Sequence, residues 1–187
     1  MRSVPVLVLL ITSPAAGAQR ADQTRPPVTA SGDDGFRVRQ LPGPLTIDGH
    51  EWTEVNVVSG PVATTAQAPD RTFVLSFQPA GADTGDFERY QLYLQRGRTS
   101  PVRIDEGLTG WAYITPDSRF VFSEPLYVLD VRQWKRYRLF DTFGIENYIS
   151  IAAVSSDGRR LYMSRVDCAI DCPDEPRQYY ELTLPGR

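Results

Sequence analysis

Ala68-Pro69-Asp70-Arg71-Thr72-Phe73-Val74-Leu75-Ser76, Thr115-Pro116-Asp117-Ser118-Arg119-Phe120-Val121-Phe122-Ser123 and Ser155-Ser156-Asp157-Gly158-Arg159-Arg160-Leu161-Tyr162-Met163-Ser164 are the stretches that decide the fold of this chain. Each is an aspartate turn that runs straight into an apolar strand ending at serine. Proline presets φ for the first corner, and the aspartate side chain hydrogen-bonds the backbone two residues on. Gly158, or an arginine or serine in the other copies, completes the reversal. The apolar run then enters the core of a small sheet, with Phe73, Phe120 and Leu161 expected to be buried just past the turn.

The spacing makes this an internal repeat, which has to be found before the fold is read. Asp157 follows Asp117 by forty positions, and Asp117 follows Asp70 by forty-seven; a polar insertion at residues 81–88 accounts for the excess. An alternating strand follows each turn strand, at residues 90–95, 126–131 and 179–184. Further short strands are expected at 36–41, 45–47, 54–58, 101–104 and 135–139. Helical periodicity is almost absent, because no window holds i, i+3, i+4, i+7 apolar spacing without a Pro or Gly. The expected fold is all-β, a propeller-like stack of small antiparallel sheets. Its domain spans residues 36–187, with units at about 67–106, 107–147 and 148–185.

Pro69-Asp70, Pro116-Asp117 and Ser156-Asp157-Gly158, with Leu92-Tyr93-Leu94 and Leu126-Tyr127-Val128-Leu129-Asp130-Val131, resemble the blades of TolB-type, WD-like β-propellers. The resemblance covers residues 67–184. Propellers close with roughly 4–8 blades, whereas three units are visible here. It therefore implies one of three arrangements: a degenerate fourth unit within residues 36–65, an open stack, or a stack whose ends a partner covers.

The N-terminus has the three parts of a secretory signal. Arg2 supplies the positive charge, residues 4–11 are apolar apart from Pro5, and Ala16-Gly17-Ala18 forms a small-residue cleavage site before Gln19. The apolar run is too short to cross a bilayer, which needs roughly 20 residues, and no later stretch is longer. Export to the periplasm or outside the cell is the expectation, with no membrane span. Residues 19–35 are polar, contain Pro26-Pro27, and read as a flexible lead-in. The net charge of −3 gives no general pull toward nucleic acid, and the basic residues are arginine apart from Lys135.

In an oxidising compartment Cys168 and Cys172 are expected to form a disulfide. Cys168-Ala169-Ile170-Asp171-Cys172-Pro173 resembles the copper motif of cytochrome-oxidase assembly chaperones, but those use a histidine far downstream and none follows here. Asp167, Asp171, Asp174 and Glu175 make the same loop acidic without the spacing of a calcium loop. His50 is the one histidine, beside Asp48-Gly49. No nucleophile elbow and no Gly-rich phosphate loop is present. No catalytic, metal or cofactor residue is assigned.

Ile47-Asp48-Gly49-His50-Glu51-Trp52 is similar to the opening of carbohydrate-binding modules, and Trp52, Trp111 and Trp134 are aromatic enough for stacking. The alternative is that they fill sheet cores. The expected function is a non-catalytic interaction module for a protein or glycan partner. A carbohydrate-binding module is the second reading and a hydrolase the third.

Overall fold

The computed structural model describes residues 28–29, 35–60, 63–80, 90–105, 109–124, 126–143, 149–165 and 177–186. In chain order the strands begin with β1 (Val28–Thr29), β2 (Arg37–Leu41), β3 (Trp52–Glu54), β4 (Val58–Ser59) and β5 (Thr65–Gln67). There follow β6 (Val74–Pro79), β7 (Tyr90–Gln95) and β8 (Val102–Arg103), then β9 (Trp111–Ile114), β10 (Phe120–Ser123), β11 (Tyr127–Asp130) and β12 (Lys135–Arg138). A single helical turn and a half, α1 (Leu139–Phe143), precedes β13 (Ile149–Ser155), β14 (Arg160–Arg165) and β15 (Gln178–Thr183).

The protein is all-β. The strands of the described residues form three sheets, each built on consecutive antiparallel strands. The first sheet is the meander β5-β6-β7-β8. The second is β1-β12-β11-β10-β9-β4, in which the meander β9 to β12 is extended at both edges. The third is β2-β15-β14-β13-β3. Among the described residues the one parallel pairing is β1 against β12.

Packing orders these sheets as a stack. Phe73, Leu75, Phe77, Leu92 and Leu94 of the first sheet and its turns meet Ala112, Val121 and Leu129 of the second. The opposite face of the second sheet, through Tyr113, Phe122, Val128 and Tyr137, meets Ile151, Leu161, Met163 and Leu182 of the third. The second sheet is thus apolar on both faces, which is why Phe120-Val121-Phe122 shows no alternation and all of β10 is buried. By contrast β7 alternates strictly, with Tyr90, Leu92 and Leu94 inward. A bulge between Ile151 and Ala153 lets Ile151 and Val154 both face the second sheet, while Ala153 faces away.

The described residues of 36–65 do not make a fourth sheet. β2 pairs with β15 and β3 with β13, whereas β4 joins the second sheet and β5 opens the first. The expected strand at 45–47 is absent. Pro42 and Pro44 remove donors from that stretch, and the Leu45 N–H instead donates to the Tyr162 hydroxyl at 3.2 Å. The single strand expected at 54–58 is two strands in different sheets, because the chain crosses between layers after Glu54. Within the polar lead-in, Val28–Thr29 lies beside Arg136 and Tyr137 as β1. Backbone pairing of this kind needs no large apolar side chain, so composition could not reveal it.

Candidate functional site

The three aspartate turns are built alike. The N–H groups of Arg71, Ser118 and Gly158 donate to the carbonyls of Ala68, Thr115 and Ser155, each at 2.8 Å. In every copy the residue after aspartate has positive φ: 61° at Arg71, 56° at Ser118 and 68° at Gly158. Glycine takes this conformation without cost, and the other two are strained there. The Asp117 Oδ1 accepts from the Thr115 hydroxyl and the Arg119 N–H, and the Asp157 Oδ1 from the Ser155 hydroxyl and the Arg159 N–H. Ala68 has no hydroxyl, and there the Thr72 hydroxyl and N–H supply both bonds to Asp70. The hydroxyl bond from Thr72 holds the Asp70 carboxyl below its ordinary value, as that from Ser155 does for Asp157.

Phe73, Phe120 and Leu161 are buried. Counted from the aspartate, the counterpart of the two phenylalanines is Arg160 rather than Leu161. Its guanidinium lies 5.0 Å from the Trp52 ring centre and 3.1 Å from Glu51, and so closes the turn with charge where the other copies use a ring.

The meanders place these turns at one end of their sheets, and cross-links hold the ends together. The Asp70 N–H donates to the Ser118 hydroxyl at 3.0 Å, joining the first turn to the second. Arg96, in the β7–β8 turn, donates to the Val131 carbonyl, and its guanidinium sits 4.8 Å from the ring centre of Trp134. Arg119, nearly buried, pairs with Asp130 at 2.9 Å and donates to the Gly186 carbonyl at 2.7 Å. One rim thus carries the three aspartate turns, two further hairpin turns and the C-terminal Pro185-Gly186.

Between the second and third turns the rim opens into a cleft of about 870 Å³. Pro116, Phe120, Val154 and Pro185 supply apolar surface, and Asp117, Asp157, Arg119 and Arg159 are the charged groups on its walls. That volume lies in the range of small-ligand sites. Among the described residues no three His, Cys, Asp or Glu side chains gather as a metal site.

The aromatic candidates divide. Trp52 is 4% exposed and packs with Leu41, Ala153 and Tyr162, so the Ile47–Trp52 segment offers no indole face. Trp111 is half-buried against the inner core, and Trp134 is half-buried beneath Arg96. His50 is exposed, in a turn that the Asp48 carboxylate caps by accepting the His50 and Glu51 N–H groups. Cys168 and Cys172, with the acidic loop around them, lie outside the described residues. The sequence reading missed the hydroxyls of Thr115 and Ser155, although a Ser or Thr two places before aspartate is visible in both copies. It also missed the Arg119–Asp130 pair, for which separation along the chain gives no signal. No helix among the described residues is long and apolar enough to cross a membrane. Set against family models, curated proteins and solved structures, the chain matches none.

Proposed function

We propose that this chain is an exported interaction module of three propeller-like units, without chemistry of its own, and that it binds a protein through the turn rim. The observation that carries this reading is the convergence of three equivalent turns and the chain's C-terminal residues on one rim, beside a cleft of ligand size. Loops held by a rigid sheet scaffold are where β proteins place recognition. Export rests on the signal-like residues 1–18, and the Cys168–Cys172 bridge belongs to the same proposal. Alkylation without reductant should leave both thiols unlabelled. Burial of Trp52 removes the main support for a glycan-binding face at Ile47–Trp52, so a protein partner is preferred.

Site-specific photo-crosslinking tests this. A crosslinker at Ser156, exposed on the rim, should capture a partner from an envelope or culture-fluid extract. The same group at Thr64 or Asp141, exposed at the opposite ends of their sheets, should not. Adducts at Thr64 and Asp141 alone, or at none of the three, would sink the reading.

A further inference from the structure

The charge on the rim is uneven. At the turns of the first and second sheets, Arg71, Arg96, Arg98 and Arg132 are all exposed, against the carboxylates of Asp70 and Asp117. Asp130 does not add to the negative side, because Arg119 neutralises it at 2.9 Å. Lys135, 5.1 Å from the Tyr137 ring centre, adds a further positive charge at this end of β12. In a chain of net charge −3, this half of the rim is therefore positive. At the third unit the balance is even: Arg160 is paired with Glu51, and Arg159 stands beside Asp157.

Two of these arginines are left over among the described residues. The side chains of Arg71 and Arg98 make no hydrogen bond or ion pair among the described residues, while Arg96 and Arg132 donate to the Val131 and Asp117 carbonyls. Arg71 lies in the β5–β6 turn and Arg98 in the β7–β8 turn, so alternate hairpins of one meander present them at the same end. Strands lie about 4.8 Å apart, which sets such turns roughly 10 Å from one another. An extended peptide in the polyproline II conformation advances about 3.1 Å per residue and presents every third side chain on one face, so carboxylates three residues apart span about the same distance.

We infer that this half of the rim docks an extended acidic segment of a partner protein, with Arg71 and Arg98 each receiving a carboxylate. The inference rests on the interaction-module reading and adds the partner's chemistry and the residues that select it. Guanidinium forks match carboxylates in geometry as well as charge. A sugar or a nucleic-acid base would need a free ring face, and the ring of Trp134, the half-exposed aromatic here, already lies beneath Arg96.

The test is fluorescence anisotropy with the mature chain and a labelled peptide carrying glutamates at every third position, with a sulfated polysaccharide as the second probe. The peptide should bind, more weakly as salt rises, and the double variant Arg71→Glu, Arg98→Glu should lose at least tenfold in affinity. Arg71→Gln, Arg98→Gln should show a smaller loss, and Arg177→Glu, exposed at the far end of β15, should show none. Circular dichroism should report the same fold for all. Equal affinity in the double variant, no peptide binding, or binding of the polysaccharide alone would overturn the inference. If Ser156 still crosslinks to a protein while any of those results is found, the acidic-segment inference fails and the interaction-module reading stands.

Discussion

The stack ends differently on its two sides. The outer face of the first sheet carries Ser76, Gln78, Gln91, Tyr93 and Gln95, which are exposed or half-exposed, so this layer stops in a polar surface. The outer face of the third sheet is divided between a charged cluster of Arg39, Arg160 and Glu181 and an apolar patch beside it. Leu41, Trp52, Ala153 and Tyr162 form a small core there, with the Tyr179 ring stacked on Tyr162 at 5.9 Å. Leu45, from the segment joining β2 to β3, packs against it. One end is finished by composition and the other by covering chain. Repeat stacks need such caps, because an uncovered apolar face costs solubility. No buried cluster among the described residues joins the first sheet to the third, so the layers form an open series.

The comparison breaks first at its centre. Phe122→Ala and Phe120→Ala, in the sheet apolar on both faces, should each cost about 3–5 kcal/mol, and Phe73→Ala the same; Leu161→Ala should cost about 2–5. Such losses would bring a domain at the lower end of ordinary stability, about 5 kcal/mol, close to unfolding. Urea denaturation measures them, and losses under 1 kcal/mol would mean that the second sheet is not an inner layer.

The ends are then set against each other. Trp52→Ala should cost about 3 kcal/mol, since the covering segment closes only part of the cavity. Tyr93→Ala, on the polar end, should cost less than about 1 kcal/mol. Equal effects would erase the difference between the two caps.

The turns sharpen the picture at smaller scale. Asp157→Ala, which removes the acceptor for Ser155 and Arg159, should cost about 1–2 kcal/mol. Hydrogen bonds hold the Asp70 and Asp157 carboxyls below 3.8 in the fold. Their contribution is therefore complete above about pH 5 and is lost as pH falls through the ordinary value and below it. Thermal melts between pH 6 and 2.5 should show the midpoint falling, and Asp157→Ala should flatten part of that fall.

Tyr113 probes the inner layer at the alkaline end. Burial first, and then the Asp117 charge, raise its phenol well above the usual 10.0. Below about pH 10 the group contributes its full share of stability. Above it the unfolded chain ionises first and stability declines. Ultraviolet titration of the folded protein should find phenols, Tyr113 and Tyr162 among them, that stay protonated after the exposed ones have ionised, and Tyr113→Phe should remove one of them. The smallest effect belongs to the rim: Arg132→Ala should stay within about 0.5 kcal/mol.

The repeat was legible because its cause is local. A Pro-Asp or Ser-Asp turn followed by an apolar run encodes its own hairpin, and the three copies lie at β5–β6, β9–β10 and β13–β14. Residues 36–58 were harder, since β2, β3 and β4 are edge strands whose partners lie up to about a hundred and forty positions away, as the Arg39–Glu181 bond illustrates. No local pattern names such a partner. The aromatics were ambiguous for the same reason. Trp52 follows a turn that looks open to solvent, and only the return of β14 and β15 beneath it makes it core.

By itself the sequence determined the all-β class, the three turns and the buried residues just past them, because each depends on residues close together in the chain. Tertiary structure alone decided that the middle sheet is apolar on both faces, that residues 36–65 are shared among three sheets, and that the turns meet on one rim with Arg71 and Arg98 unpaired among the described residues. These are contacts between segments far apart in the chain, where loop-closure entropy is offset by burial that exists only once the layers have packed.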